Sequence, residues 1–299
     1  MTFMPTLKQL QYLTALHIHG HFGHAADACF VTQSTLSAGL RELESLLGVQ
    51  LVERSRRVVR FSPMGEQVVA KAYDVLREAD ALTGITKARG EPLTGELRLG
   101  VIPTIAPYLL PRTLPAVRAA YPDLKLYLRE EMSGPACEAL ARGTLDAVLL
   151  ALPWVCGAIE ALPLFTDPFY LVFHPGDRLD PPPQVAPNAI DDTSLLMLED
   201  GHCLKDQALA ACGRPELRAD PAHRGTSLVT LVQMVASRLG QTLIPEMALD
   251  AGLIDGTGLI ARPLAGGAAR TVALAWRVGS PRAAEFTLLG EAIRNAASE

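Results

Sequence analysis

The stretch from Val31 to Phe61, VTQSTLSAGLRELESLLGVQLVERSRRVVRF, limits the possible fold more than any other part of the chain. Thr32 stands where a helix N-cap belongs, and Leu36, Leu40, Leu43 and Leu47 repeat behind it at helical spacing. The opposite face carries Gln33, Ser34, Thr35, Ser37 and Arg41, short or polar groups that can reach base edges and phosphates. Gly48 ends the pattern, and two short strand-like runs then flank the basic turn RSRR. Upstream, LKQLQYLTALHIHG predicts a helix with Leu7, Leu10, Leu13 and Leu16 on one face and a stop at Gly20. HFGHAADACFV predicts a second short helix whose alanines let a neighbour approach closely. Helix, helix, turn, helix and a basic hairpin make a mostly α winged helix-turn-helix over residues 1–63.

Charge supports the same partner. The chain as a whole carries −5, yet residues 1–63 hold six Lys/Arg against four Asp/Glu, a net +2, which leaves −7 for the rest. Four of those bases lie between Arg54 and Arg60. A basic module on an acidic body fits double-stranded DNA. Gln33, Thr35, Ser37 and Arg41 are the candidates for the major groove, and Arg54, Arg56 and Arg57 for phosphates or the minor groove. A two-fold dimer on DNA should read half-sites one or more helical turns apart.

Residues 64–90 read as a connection. From Gly65 to about Ala88 one long helix is predicted, with Val68, Ala72, Val75, Leu76, Ala79 and Leu82 along a stripe that a second copy of the chain could bury. RGEPLTG then reads as a hinge. The remainder, 91–299, is α/β: ELRLGVI, a helix with proline in its first turns, and LKLYLREE form a βαβ unit. Further strands are predicted at DAVLLAL, FYLVFH, SLLMLE, TLIP and TVALAWR, and helices at Ser227 to Arg238 and Ala283 to Ala297. The start, MTFMPTLKQLQYL, has neither the basic nor the apolar region of a signal peptide, and no apolar run is long enough to span a membrane. A cytoplasmic protein is expected, in a compartment where thiols are kept reduced.

That expectation bears on MLEDGHCLKDQALAACG, which holds two of the five cysteines, Cys203 and Cys212. Three readings stand open for this pair: packing residues of an amphipathic helix, two corners of a metal site, or a reactive thiol pair. Zinc needs about four ligands, whereas only His202 and His223 lie near in sequence and no CxxC occurs. Neither a metal nor a cofactor is therefore expected. His17, His19, His21 and His24 resemble a metal-binding tract but sit at a predicted helix end and turn. Cys29, among alanines, reads as core; Cys137 and Cys156 have no activating neighbour in sequence and read as bystanders, all three remaining free thiols.

Over essentially its whole length the chain resembles the LysR-type transcriptional regulators. The resemblance rests on LKQLQYLTAL, on AADACFVTQSTLSAGLRELESLLGVQLVER with its wing, and on GELRLGVIPT. Within that family it is similar to the OxyR-like, hydrogen peroxide-sensing group through IPTIAPYLLP, LPLFTDPFYL, LLMLEDGHCLKDQAL and RTVALAWR. The resemblance implies a linker helix and a two-lobed domain of the periplasmic-binding-protein type (type II), with lobe I at about 91–164 and 270–299 and lobe II at about 165–269. It further implies a homodimer or homotetramer on DNA, with hydrogen peroxide and RNA polymerase as partners and no enzymatic role. The chain departs from the pattern at Ser34, where the family often has Pro, and at Gly39 inside the recognition helix. Lys205 stands where Arg is usual, and Val229 where Glu is usual.

For the thiols, the resemblance implies Cys203 as the peroxide-reactive group and Cys212 as the one that resolves it. Helical geometry agrees: nine residues separate the two Cα atoms by about 13–14 Å along the axis, on opposite faces. A disulfide needs about 4.4–6.8 Å, so bonding requires the helix to unwind. Amide dipoles at a helix N-terminus favour thiolate, which predicts an activated Cys203, with His202 beside it. Thr104, Ser133, His202, Asp206 and Arg270 are the peroxide-pocket residues that the resemblance implies. The competing expectation is a regulator that answers a small-molecule effector between the lobes, its cysteines inert.

Overall fold

Thr6 starts the first element through a reciprocal cap: its hydroxyl accepts from the Gln9 amide at 3.2 Å while the Gln9 side chain accepts from the Thr6 amide at 2.9 Å. The computed structural model describes residues 4–54, 59–87, 92–177, 182–213 and 223–298. Two compact units emerge, Met1–Arg89 and Gly90–Glu299.

In the first unit, α1 (Leu7–His19) ends at Gly20 with φ 59°, the left-handed stop that glycine adopts without strain. His21 caps α2 (Phe22–Ala28) by accepting from the Gly23 amide at 3.1 Å. Thr32 caps α3 (Gln33–Leu47), accepting from the Thr35 amide at 3.2 Å. Leu36, Leu40 and Leu43 are buried as the pattern predicted, whereas Leu47 remains exposed at the last turn. Gly39 is explained by packing: a Cβ there would sit 2.8 Å from the Tyr12 ring of α1. The short antiparallel hairpin β1 (Val52–Arg54) and β2 (Val59–Phe61) pairs Val52 with Phe61. The long helix α4 (Pro63–Lys87) follows. Its Val69 and Ala72 are buried, while Val75 and Leu82 of the predicted stripe stay exposed.

The second unit is built on a nine-stranded sheet with the order β4-β3-β5-β11-β6-β9-β7-β8, β10 pairing β6. The chain enters through β3 (Gly95–Val101), α5 (Ala106–Ala120) and β4 (Leu124–Glu130), the last strand lying parallel to the first. Next come α6 (Ser133–Arg142), β5 (Ala147–Leu152) and β6 (Ile159–Phe173). β6 is far longer than the predicted FYLVFH. Its first part pairs with β11 (Ala269–Arg277) as far as Pro168. From Phe169 onward it pairs with β9 (Gln241–Pro245). One strand thus runs through both halves of the sheet, and the sequence between is irregular. Pro163 and Pro168 lack amide donors, and the register with β11 shifts beside Pro163.

The far half contains β7 (Leu195–Leu198), α7 (Cys203–Ala211), β8 (Arg224–Gly225), α8 (Leu228–Ala236), α9 (Glu246–Asp250) and β10 (Ile260–Pro263). α10 (Ala283–Ser298) returns to the first half, where Phe286, Leu289 and Ile293 join the core of β3 and β5. Sheet strands such as Val148–Leu150 are entirely buried, as expected where helices cover both faces.

One expectation is corrected. Cys137 on α6 and Cys156 in the loop after β5 are not free thiols: they are joined in a disulfide, with Cα atoms 5.2 Å apart. Nineteen residues separate them, so the contact is tertiary and left no mark in the local sequence. Cys29 is free and half-buried, its thiol directed at the Gln11 carbonyl of α1.

Candidate functional site

Cys203 is the first residue of α7 and is 1% exposed. α7 runs unbroken to Ala211, and Cys212 caps it at the far end, followed by Gly213 at φ 68°. Both are buried, and neither is joined in a disulfide. The helix therefore holds them apart, by the same 13–14 Å or so that ideal geometry gives.

Three elements surround the Cys203 sulfur. Ser133, the first residue of α6, is 1% exposed; its hydroxyl has no strict hydrogen-bond partner, yet lies close enough to Cys203 to favour the thiolate. The Ala151 backbone at the end of β5 acts in the same direction, as does the Arg270 charge at the start of β11. Burial outweighs all of these and pushes the thiol above its ordinary value of 9.0, with the Asp206 carboxylate adding to the rise. This differs from the helix-dipole expectation of an activated thiol. Cys203 at rest is a buried, protonated thiol.

Arg270 is the organiser. It is the largest fully buried side chain, and its Nε donates to Asp167 Oδ2 at 2.9 Å. Arg270 and Asp167 are register partners on β11 and β6. The guanidinium then donates from Nη1 to Thr104 Oγ1 at 2.8 Å and from Nη2 to the Thr104 carbonyl at 2.9 Å. With its oxygen already accepting from Arg270, the Thr104 hydroxyl keeps its own proton to donate elsewhere. Asp167 is fixed in turn, its Oδ1 accepting from the Met247 amide at 3.0 Å.

His202 precedes α7 as its N-cap residue and is 6% exposed, without a side-chain capping bond. Burial holds its imidazole below the ordinary value, against the pull of Glu199, so it is neutral at pH 7. Asp206 is exposed on α7 and reaches Cys203 through its charge. Thr104, Ser133, His202 and Arg270 are thus buried, while Asp206 is at the surface.

Sequence reasoning missed Asp167 and Gln207. Gln207 sits one turn after Cys203 and donates to the Ala151 carbonyl at 2.9 Å and the Pro153 carbonyl at 3.2 Å, anchoring α7 to the end of β5. Both residues act through long-range partners that no local motif reveals. Lys205 pairs with Asp200, which also accepts from Arg224 at 2.9 Å. The lysine thus makes the point-charge contact expected where Arg is usual.

In the first unit, Gln33, Thr35 and Arg41 are exposed on α3 and Ser37 is half-exposed. Thr32, Ser34 and Thr35 share hydroxyl contacts of 2.8 Å at the helix start. Arg56, Arg57 and the side chain of Arg54 lie outside the described residues. Among the described residues no cluster of His, Cys, Asp and Glu could hold a metal ion. His17 instead bonds Glu66 at 3.1 Å. No helix among them is long and apolar enough to cross a membrane.

Two family models match: the bacterial regulatory helix-turn-helix protein of the lysR family at residues 7–66, and the LysR substrate binding domain at 90–298. The chain belongs to the LysR family. Family members similar to it include the HTH-type transcriptional regulator EstR of Acinetobacter baylyi, 42% identical with 97% of this chain and 96% of the relative covered. The DNA-binding transcriptional dual regulator OxyR of Escherichia coli is 40% identical, with 96% and 94% covered. Among solved structures, a cysteine-to-aspartate variant of full-length OxyR from Pseudomonas aeruginosa superposes with a TM-score of 0.80 at 36% identity, covering 98% of this chain and 95% of that one. A hydrogen peroxide-bound cysteine-to-serine variant of Corynebacterium glutamicum OxyR gives 0.66 at 33% identity, with 99% and 94% covered. As a LysR-family chain it carries the winged helix-turn-helix and the two-lobed type II regulatory fold.

Proposed function

We propose that this chain is a cytoplasmic transcriptional regulator that senses hydrogen peroxide through Cys203 and resolves it with Cys212. The observation that carries the reading is a buried thiol at the first turn of α7, beside the buried Ser133 hydroxyl and the Arg270–Thr104 pair. The relatives named as OxyR add support.

The chemistry follows from the groups present. Peroxide enters the pocket, Cys203 gives up its proton to water, and the thiolate attacks one oxygen while the departing oxygen takes a proton back. An S–O bond forms, the O–O bond breaks, and water leaves with Cys203 as a sulfenic acid. Thr104 and Ser133 donate to the peroxide, and the Arg270 charge steadies the departing oxygen. The neutral His202 offers a further polar partner, and the Asp206 charge at the surface helps keep the resting thiol protonated. Cys212 then attacks the Cys203 sulfur and expels a second water. Since a continuous α7 forbids that approach, the disulfide and the helix exclude one another, which makes the segment a two-state switch.

The output is exerted on double-stranded DNA. Gln33, Thr35, Ser37 and Arg41 read the major groove, with Arg54, Arg56 and Arg57 on phosphates or in the minor groove. Residues 1–63 form the DNA-binding domain, 64–90 the linker helix and hinge, and 91–299 the regulatory domain, with lobes near 91–164 with 270–299 and 165–269. The exposed Val75 and Leu82 give α4 an apolar edge for a second copy, and a tetramer on DNA that engages RNA polymerase completes the reading.

Changing Cys203 to Ser tests it. The variant should bind operator DNA with the affinity of the reduced wild type and lose every peroxide-induced change in footprint. A full response in that variant would leave only a regulator driven by a small-molecule effector.

A further inference from the structure

The Cys137–Cys156 disulfide takes no part in the reaction above, yet it joins two walls of the same pocket. Cys137 lies one helical turn after Ser133 on α6, so both side chains project from one face. Ser133 is the buried hydroxyl beside Cys203. Cys156 closes the loop that leaves β5, and that stretch supplies the Ala151 and Pro153 carbonyls which hold Gln207 of α7. The bond therefore ties the helix that offers Ser133 to the strand end that anchors the Cys203 helix. Both cysteines are mostly covered, at 8% exposure, but Val155 next to Cys156 is 93% exposed, so the loop lies at the surface.

We propose that Cys137 and Cys156 are a second redox couple, exchanging with low-molecular-weight disulfides of the glutathione class, whose state sets how firmly the Cys203 pocket is held. The Cys156 thiolate attacks one sulfur of the small disulfide and expels one thiolate, leaving a mixed disulfide. The Cys137 thiolate attacks the Cys156 sulfur and expels the second. The protein loses two electrons and two protons, and the small disulfide is reduced to two thiols. The thiol pool reverses both steps. With the bond closed, the Ser133 hydroxyl and the Ala151 backbone are held as one frame around the sulfur; with it open, α6 and the β5 loop move independently and orientation is lost. The chain would then report peroxide at a gain set by the disulfide poise of its compartment. This inference rests on the peroxide reading of Cys203.

The test uses the full-length protein, equilibrated in glutathione buffers from fully reduced to fully oxidised and then freed of glutathione. It is exposed to hydrogen peroxide, quenched with iodoacetamide at short times, and mapped by peptide mass spectrometry. The Cys137–Cys156 link should titrate with the glutathione ratio, and Cys203 should oxidise several-fold faster in the linked protein than in the open one. The double variant Cys137→Ser/Cys156→Ser should oxidise Cys203 at a single rate, whatever the ratio. The two states of the wild type make the same comparison should that variant not fold. Cys137 and Cys156 alkylated at every ratio, or equal Cys203 rates in the linked and open proteins, would overturn the inference and leave the peroxide reading intact. A Cys203 that stays unoxidised in both states would overturn the peroxide reading, and this inference with it.

Discussion

Burial decides the character of Cys203 at the level of the single residue. The Ser133 hydroxyl, the Arg270 charge and the Ala151 backbone all favour thiolate, but removal from water costs the anion more. With the thiol raised above 9.0, the fraction of thiolate grows with every increment of pH through the neutral range. The rate of Cys203 oxidation measured at low peroxide should therefore climb from pH 6 to pH 9 without a plateau. A rate that levels off below pH 8 would mean a depressed thiol and contradict the burial argument. Arg270 and Asp167 form the other residue-scale test, because their side chains are 0% and 1% exposed. Asp167→Ala strands a buried guanidinium, at a cost of about 3–5 kcal/mol of unfolding free energy, to be read from denaturant melts. Gly39 is a third: Gly39→Ala gains helix propensity worth about 1 kcal/mol, yet its methyl meets the Tyr12 ring at 2.8 Å. A net loss of stability of the first unit is expected, and a gain would show that the ring gives way.

Elements differ in how far the sequence reveals them. Helices with a cap and an apolar stripe were readable: Thr32 to Gly48 of α3, and Cys203 to Gly213 of α7, fall where spacing and glycine stops put them. β6 was half hidden, because Pro163 and Pro168 interrupt the alternation that marks a strand, and only pairing with β11 holds that half in place. β10 and the short α9 were missed for the same reason, having little local signal. In the site, Cys203, Thr104, Ser133, His202 and Arg270 were legible through motif resemblance. Asp167, Gln207 and the Cys137–Cys156 bond depend on partners far away in sequence and were not. On α4, Val75 and Leu82 are exposed at 46% and 66%. Leu82→Glu should weaken self-association in analytical ultracentrifugation and leave the monomer folded; an unchanged assembly would place the dimer seam elsewhere.

For the molecule as a whole, an acidic body carries a basic reading head. DNA affinity should fall steeply with salt, and removing one phosphate contact, for example by Arg57→Ala, should flatten the log–log slope by about 0.9. The central claim concerns the link between chemistry and shape: a helix that keeps two thiols apart must open for them to join. Peptide mapping by mass spectrometry of the reduced full-length protein after a single molar equivalent of hydrogen peroxide tests this directly. The account requires Cys203 linked to Cys212 together with a loss of helical circular dichroism. Cys203 recovered as a free thiol, or linked to Cys212 with the helical signal unchanged, would contradict it.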